Sequence, residues 1–352
     1  MADKFIESLC ERIRAAQASA TRLRIRGGGT KDFHGGALSG ELLDVSGYAG
    51  VIAYEPRELV LTVRAGTTLA EIEALVDGEN QMLPFEPPRF GEAATIGGTV
   101  ACGFSGPRRP YAGAVRDFVL GARIVNGKGE DLSFGGRVIK NVAGYDVSRL
   151  MTGALGTLGV MTELSFKVLP RPVAQATLAF AMDEAKMIEQ VNQWAGQPLP
   201  VSATAWTAGK LLVRVSGAAT AVAAARERMG GEEVADGEAY WLDLREHRLA
   251  FFRAGEPLWR LSVPQTAAPI ATAHAQLIEW GGGLRWVSGA LDAAAIRAAV
   301  AKAGGHATLF RHGDKSVGVF QPLALPIAKI HKRLKYAFDP AGILNHGRMY
   351  DF

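Results

Sequence analysis

The chain has 352 residues, 48% of them apolar and 21% charged, with a formal net charge of +4. That length suits two domains, since single cores rarely grow past about 250–300 residues, and the cations are scattered rather than gathered into the stripe that nucleic acid requires. No run approaches the roughly 18 apolar residues of a membrane span, and Cys10 and Cys102 are too few to ligate an ordinary iron–sulfur cluster, so any such centre would sit in a partner.

In chain order, "MADKFIESLCERIRAA" carries Phe5, Ile6, Leu9 and Ile13 at helical spacing with acids in its first turns. It reads as an amphipathic surface helix of a cytoplasmic protein, not a secretory signal. Next, "RIRGGGTKDFHG" sets three glycines directly after an alternating apolar and basic run. Consecutive backbone N–H groups there could form an anion-binding concavity with Arg26 and Lys31 at its ends, and a flexible turn is the plain alternative.

The stretches "LLDVSG", "GVIAYEP" and "LVLTVRAG" read as short strands. "TTLAEIEALVDG" reads as a helix: Thr68 and Glu71 make a capping box, Leu69, Ile72, Leu75 and Val76 line one face, and Gly78 ends it. From Gly91 to Val160 the chain holds 15 of its 42 glycines, the texture of a backbone that approaches a ligand closely. Pro170 and Pro172 then mark a boundary.

Beyond it, "ATLAFAM", a helix from Asp183 to Trp194, "VSATAW", "KLLVRVSG" and a helix from Ala218 to Met229 spell β-α-β-β-α. A second pass runs "LWRLSV", a short helical turn at "TAAPIA", the hairpin "HAQLIEW"/"LRWVSG", a helix from Asp292 to Lys302, and "HATLF". Two ferredoxin-like units sharing a sheet fit both passes, as does one irregular antiparallel sheet. The last stretch is a basic helix with Lys329, His331, Lys332, Arg333 and Lys335, read as a solvated face or a docking surface, followed by an irregular tail.

Neither standard nucleotide loop is present. "GGGTKDFHG" lacks the G-x-G-x-x-G spacing, and in "GARIVNGKG" the first glycine comes one position early while Gly129 replaces the Ser or Thr of a Walker loop. Three separated glycine loops can nevertheless line an elongated ligand such as a dinucleotide.

Together, "RIRGGGTK", "PFEPPRFGEAATIGGTVACGFSGPRRPYAGAVRDFVLGARIVNGKGE" and "GGRVIKNVAGYDVSRLMTGALGTLGVMTELSFKVLP" resemble the PCMH-type FAD-binding domain of the vanillyl-alcohol oxidase flavoprotein superfamily. "VIKNVAGYD" and "FDPAGILNHGR" resemble its 2-hydroxy-acid dehydrogenase branch, and within it the FAD-binding subunits of bacterial glycolate oxidases. The likeness covers residues 20–175 and 335–350 strongly and the middle more weakly. It implies an α+β fold with a PCMH-type FAD-binding domain of two α/β subdomains (residues 1–172), a cap domain with antiparallel sheet (173–321), and a C-terminal segment returning to the FAD domain (322–352).

Carried over by residue, the resemblance implies that Arg26, Gly27, Gly28, Gly29, Thr30 and Lys31 wrap the FAD pyrophosphate. Thr95, Gly97 and Gly98 would continue along it, with Gly106, Tyr111 and Gly113 nearer the flavin. Gly156, Gly159 and Val160 would lie on the adenine or ribose side. Lys140, Asn141, Tyr145 and Asp146 match a family signature, and Asn345 matches the returning tail, where His346 replaces a proline. Relatives with covalent flavin often place a histidine just after the glycine pair; Gly29 and Thr30 stand here, which implies non-covalent FAD.

Relatives that oxidise 2-hydroxy acids carry a histidine-rich, acid-containing segment in the cap; here "GGHATLFRHGDKS" offers His306 and His312 without an H-x-H pair, and no metal set is expected. The candidates for a small 2-hydroxy acid are Arg260, Arg285 and Arg311 for the carboxylate and His306 as base. The resemblance implies a sister FAD subunit with the catalytic site and an iron–sulfur subunit as partners, in the cytoplasm, with any contact to the inner membrane made peripherally through the complex. The alternatives are a stand-alone 2-hydroxy-acid dehydrogenase, D-lactate-like in type, and a non-redox scaffold subunit.

Overall fold

In the computed structural model, residues 2–136 and 145–352 are described. The N-terminal helix Ala2–Ala18 buries Ile6, Leu9 and Ile13, the face its spacing predicts. They pack against Leu23, Leu43, Val160 and Leu344, so this helix closes a small core shared by both ends of the chain.

Strand Leu23–Arg26 pairs in parallel with Glu41–Asp44. A five-stranded antiparallel sheet follows, ordered Val51–Glu55, Val60–Arg64, Val160–Lys167, Val119–Val125, Asp131–Gly135. One of its central strands, Val119–Val125, and its edge strand Asp131–Gly135 come from the glycine-rich stretch Gly91 to Val160. Glycine content hides the period there, but runs such as "FVLGARIV" are apolar on both faces and suit a buried strand. The helix Leu69–Asp77 carries the predicted capping box and buries Leu69, Ile72 and Val76 against this sheet. "TIGGTVAC" is likewise not a loop: Thr95 caps a helix over Ile96–Cys102.

From Ala174 to Arg311 the strands make one eight-stranded antiparallel sheet. In its first half, counted in chain order, Ala174–Ala181, Val201–Thr207, Lys210–Gly217 and Glu232–Glu233 lie in the order 4-1-3-2. Leu258–Ser262, Ala275–Glu279, Leu284–Ser288 and His306–Arg311 repeat that order in mirror sequence, and the halves join through Val201–Thr207 and Ala275–Glu279. That is the strand order of two ferredoxin-like units meeting edge to edge. The helical turn expected at "TAAPIA" is absent, because the carbonyls of Ala267 and Ala268 accept from the Arg285 guanidinium instead of closing a turn. A helix over Gly237–Arg245, missed in the sequence, packs Trp241 and Leu244 under the sheet.

The two sheets are bridged by charges. Glu86 accepts from Arg108 at 3.1 Å and pairs with Arg214 of the eight-stranded sheet at 2.8 Å. Glu246 accepts the backbone N–H groups of Arg89 and Phe90. The tail closes the structure: Leu23 donates to the Ile343 carbonyl and Asn345 to the Leu23 carbonyl, a parallel bridge. Among the described residues no helix is long and apolar enough to cross a membrane.

Candidate functional site

Directly after strand Leu23–Arg26, the loop Gly27–Lys31 turns away from the ladder. None of its five N–H groups donates to a described residue, whereas N–H groups on either side of it are used. The glycines are there for contact and conformation. A Cβ on Gly28 would lie 1.5 Å from the Ala93 carbonyl oxygen, one on Gly27 would meet Thr95 Oγ1 at 2.5 Å, and Gly29 has φ +71°. The Arg26 guanidinium folds over Gly29, where it faces Asp32 at 3.5 Å.

This loop lines a cavity of about 80 Å³ with Thr95, Gly98, Ala101, Cys102, Leu155, Asn345 and Arg348. Lys31 is buried there and donates to the Arg89 carbonyl, and burial lowers its pKa. Five free N–H groups with a cation on each side form a concavity whose chemistry fits the diphosphate of a dinucleotide. Gly156 is not on the lining but packs against Asn345, which is: Gly156 has φ +71°, and a Cβ on it would strike Asn345 Nδ2 at 2.6 Å. The Asn345 amide accepts from Ile25 N at 2.7 Å and donates to the Leu155 carbonyl at 2.6 Å, tying the tail to the glycine loop.

Other expected cofactor residues lie elsewhere. Gly97 donates its N–H to the Ala65 carbonyl, and Ala65 leaves no room for a side chain on it. Val160 sits at 0% exposure in the core under the N-terminal helix, and Gly159 packs against Val125. Gly106 accepts from Trp280 Nε1 at 3.1 Å, Tyr111 reaches the Gly281 turn, and Gly113 (φ +118°) lies against Phe118 and Asp117. None of these lines the cavity. Tyr145 is 92% exposed, and Lys140 and Asn141 lie outside the described residues.

Through Cys102 and Leu155 the glycine loop adjoins a second cavity of about 460 Å³ between the two sheets. Arg260, His306 and Thr308 enter it from the eight-stranded sheet, and His34, Gly103 and Phe104 from the other side. Arg260 stacks on the Trp280 ring at 5.3 Å but makes no ion pair or hydrogen bond with a described residue, and burial with the Arg109 charge lowers its pKa to about 10. Burial, then Arg260, lowers that of His306.

His34 was not a sequence candidate. It is 6% exposed among Phe33, Phe104, Phe310 and Phe320, and Nδ1 has no partner. Burial, then the charges of Arg260, Arg348 and Lys315, push its pKa down to about 3, so the ring is neutral. Burial also raises the Cys102 thiol to about 11, which leaves it protonated.

The other two arginine candidates stand apart. Arg285, 0% exposed, donates to the carbonyls of Ala267, Ala268 and Gly282 and faces Glu184 at 3.5 Å. Arg311 lies flat on Phe33 at 4.2 Å and Phe90 at 5.0 Å. Two tail residues that sequence reasoning passed over matter more. Arg348 donates to the carbonyls of His34 and Gly36, and Asp339 accepts from Lys335 and from the N–H groups of Ile343 and Leu344. Lys335 therefore does not belong to a solvated face. Among the described residues, no three His, Cys, Asp or Glu side chains group as metal ligands.

Comparison with known proteins agrees with this geometry. Residues 4–135 match the family model described as an FAD binding domain. The chain is 47% identical over 346 residues to the glycolate oxidase subunit GlcE of Escherichia coli (strain K12), covering 98% of this chain and 97% of that protein. It is 33% identical to the glycolate oxidase subunit GlcD of Bacillus subtilis (strain 168) over 36% of this chain and 27% of that one. Alkyldihydroxyacetonephosphate synthase superposes with a TM-score of 0.65 over 96% of this chain and 75% of that chain, at 16% identity, a likeness of fold.

Proposed function

Since the chain belongs to the family of the glycolate oxidase subunit GlcE, within the PCMH-type FAD-binding superfamily, we propose that it is the FAD-holding subunit of a complex that oxidises glycolate to glyoxylate. The observation that carries this is the run of five unpartnered N–H groups from Gly27 to Lys31 beside the wall formed by Thr95, Gly98 and Asn345. FAD, when bound there, supplies a two-electron acceptor for a 2-hydroxy acid.

The residues then have separate tasks. Gly27, Gly28, Gly29, Thr30 and Lys31 hold the diphosphate with backbone N–H groups, and Lys31 and Arg26 balance its charge. Asn345 and Arg348 fix the loop from behind, so its shape is set before the cofactor arrives. Binding is non-covalent, because the described residues around the loop offer only a buried, protonated Cys102 and a His34 already enclosed by aromatic rings. Phe104, Phe320 and Leu155 give the larger cavity apolar walls, and His306 at its rim is the group positioned to take a hydroxyl proton.

The partners in this reading are a sister flavin subunit, and an iron–sulfur subunit to which electrons pass. Support comes from the helix Leu325–Phe338, in which Lys335 is the sole buried residue while Leu325, Ile327, Ile330 and Tyr336 are exposed beside Lys329, Lys332 and Arg333. The complex is cytoplasmic, and any membrane contact is peripheral.

The test is to purify the chain, precipitate it with acid and identify the released flavin. One FAD per chain in the supernatant is expected; flavin that stays with the pellet, or no flavin even after reconstitution, overturns the reading. Anaerobic addition of glycolate then asks whether the flavin band bleaches in the isolated chain or only once sister subunits are added.

A further inference from the structure

The segment Arg89–Phe90 is gripped from two sides. Glu246 stands at the end of the helix Gly237–Arg245, under the eight-stranded sheet. Its Oε2 accepts the N–H groups of Arg89 at 3.1 Å and Phe90 at 2.9 Å, and its Oε1 accepts from Arg245 Nε at 2.9 Å. From the other side Lys31 donates to the Arg89 carbonyl at 3.2 Å, and its ammonium lies over the Phe90 ring, 5.9 Å from the centroid.

Phe90 needs this grip. Its φ is +53°, a conformation that a residue with a Cβ rarely adopts, and its ring is enclosed by Phe33, Phe104, His247 and Arg311. A turn of that kind persists where its surroundings overdetermine it. Three residues on, the Ala93 carbonyl is the atom that forbids a side chain on Gly28. The stretch that Glu246 grips therefore also forms the support beneath the glycine loop.

Lys31 shows what the turn is for. It is buried and lines the cavity of the glycine loop, and its described acceptors are the Arg89 carbonyl and, at 3.4 Å, Thr30 Oγ1. One of the three ammonium protons is left for a guest. Burial lowers the Lys31 pKa, and Glu246 is among the charges that oppose the shift. Glu246 can thus reach Lys31 by two routes, through the turn or through its field, and the hydrogen bonds favour the turn.

We propose that Glu246 is a positioning residue for the cofactor: by holding Arg89 and Phe90 in the left-handed turn it aims the Lys31 ammonium into the cavity, so that a residue under one sheet sets the affinity of a site beside the other. This deepens the proposed function and rests on it in one point, that the guest of the glycine loop is the diphosphate of FAD.

The test is fluorescence titration of the flavin-stripped full chain with FAD, comparing wild type with Glu246→Ala, Glu246→Gln, Lys31→Met and the double variant of Glu246→Ala with Lys31→Met. Urea denaturation of each stripped protein runs alongside. Glu246→Ala frees both N–H groups and should weaken FAD about tenfold. Glu246→Gln keeps an amide oxygen for both and should stay within about threefold of wild type, which a purely electrostatic role would not allow. Without Lys31 there is nothing left to aim, so in the Lys31→Met background Glu246→Ala should change affinity less than about twofold. Should Glu246→Ala fail to fold, Glu246→Asp, whose carboxylate is one methylene short of the turn, takes its place in the same cycle.

The proposal is overturned if Glu246→Ala binds FAD as tightly as wild type, if Glu246→Gln loses as much affinity as Glu246→Ala, or if the effect of Glu246→Ala is undiminished without Lys31. Lower urea stability at unchanged FAD affinity would make Glu246 a structural strut only. A wild type that takes up no FAD would overturn the FAD reading together with this one, whereas FAD bound equally well by wild type and Lys31→Met would overturn this one alone.

Discussion

Arg260 and Thr308 stand directly opposite one another where strand Leu258–Ser262 pairs antiparallel with His306–Arg311. Side chains alternate faces along a strand, so this one pairing sends Arg260, His306 and Thr308 to the cavity. It also explains Arg285, which lies opposite Leu261, one residue out of phase, and so points to the far face.

Arg285→Met is therefore expected to leave FAD content at the wild-type level while lowering stability. It removes the donor to three carbonyls and strands the half-buried Glu184. A loss of about 3 kcal/mol is expected. Urea denaturation measures the loss, and a change in ligand binding at unchanged fold would contradict the assignment.

Gly28→Ala should lower FAD affinity more than tenfold, because its Cβ would collide with the Ala93 main chain, which can yield only by moving the loop. Gly29→Ala should cost only a few-fold. Its positive φ is strained by about 1 kcal/mol, and the neighbour it meets is the mobile end of the Arg26 side chain. Fluorescence titration of stripped protein with FAD ranks the two variants, and equal affinities would show that the loop does not touch the cofactor.

The glycine loop was legible in the sequence because three consecutive glycines have few uses. The capping box at Thr68 and Glu71 and the longer strands of the cap could be read because local periodicity sets them, whereas the absence of a helical turn at "TAAPIA" and the helix Gly237–Arg245 could not. What escaped notice depends on distant partners. Gly97 and Val160 match the motif as letters, yet one N–H is taken by Ala65 and one side chain by the N-terminal core. His34 was not singled out in the sequence, and its place in the fold comes from Phe104, Phe310 and Phe320, far along the chain. Lys335 read as one cation among several, while its place in the fold is set by Asp339 and the carbonyls of Thr157 and Leu344.

That cluster supports a double-mutant test. Lys335→Met leaves Asp339, 1% exposed, as a buried charge without its cation, and a loss of about 3–5 kcal/mol is expected. Lys335→Met with Asp339→Asn should lose less than Lys335→Met alone, since the charge itself is gone and the amide oxygen can still accept from Ile343 and Leu344. Strict additivity in chemical denaturation would mean that the two do not interact.

The buried Glu279 gives a pH dependence of definite sign. Burial raises its pKa to about 7, against the opposing hydrogen bond from Trp286 Nε1 and the charge of Arg260. A carboxyl with a raised folded pKa binds its proton more tightly in the folded state. It costs no stability below the unfolded value near 4.5. As pH rises from there to about 7, the unfolded chain ionises first and the folded state loses stability, by about 3 kcal/mol at most at 1.4 kcal/mol per pH unit. Glu279→Gln keeps an oxygen for the Trp286 indole and removes the titration. The variant should therefore match wild type at pH 4.5 and exceed it progressively up to pH 7, measured as the difference in urea midpoints. The buried His34 titrates in an overlapping window with the opposite slope, because its depressed pKa removes stability as pH falls. It is common to both proteins, so it cancels in the difference, and a midpoint gap that stays flat with pH would show that Glu279 is ionised throughout.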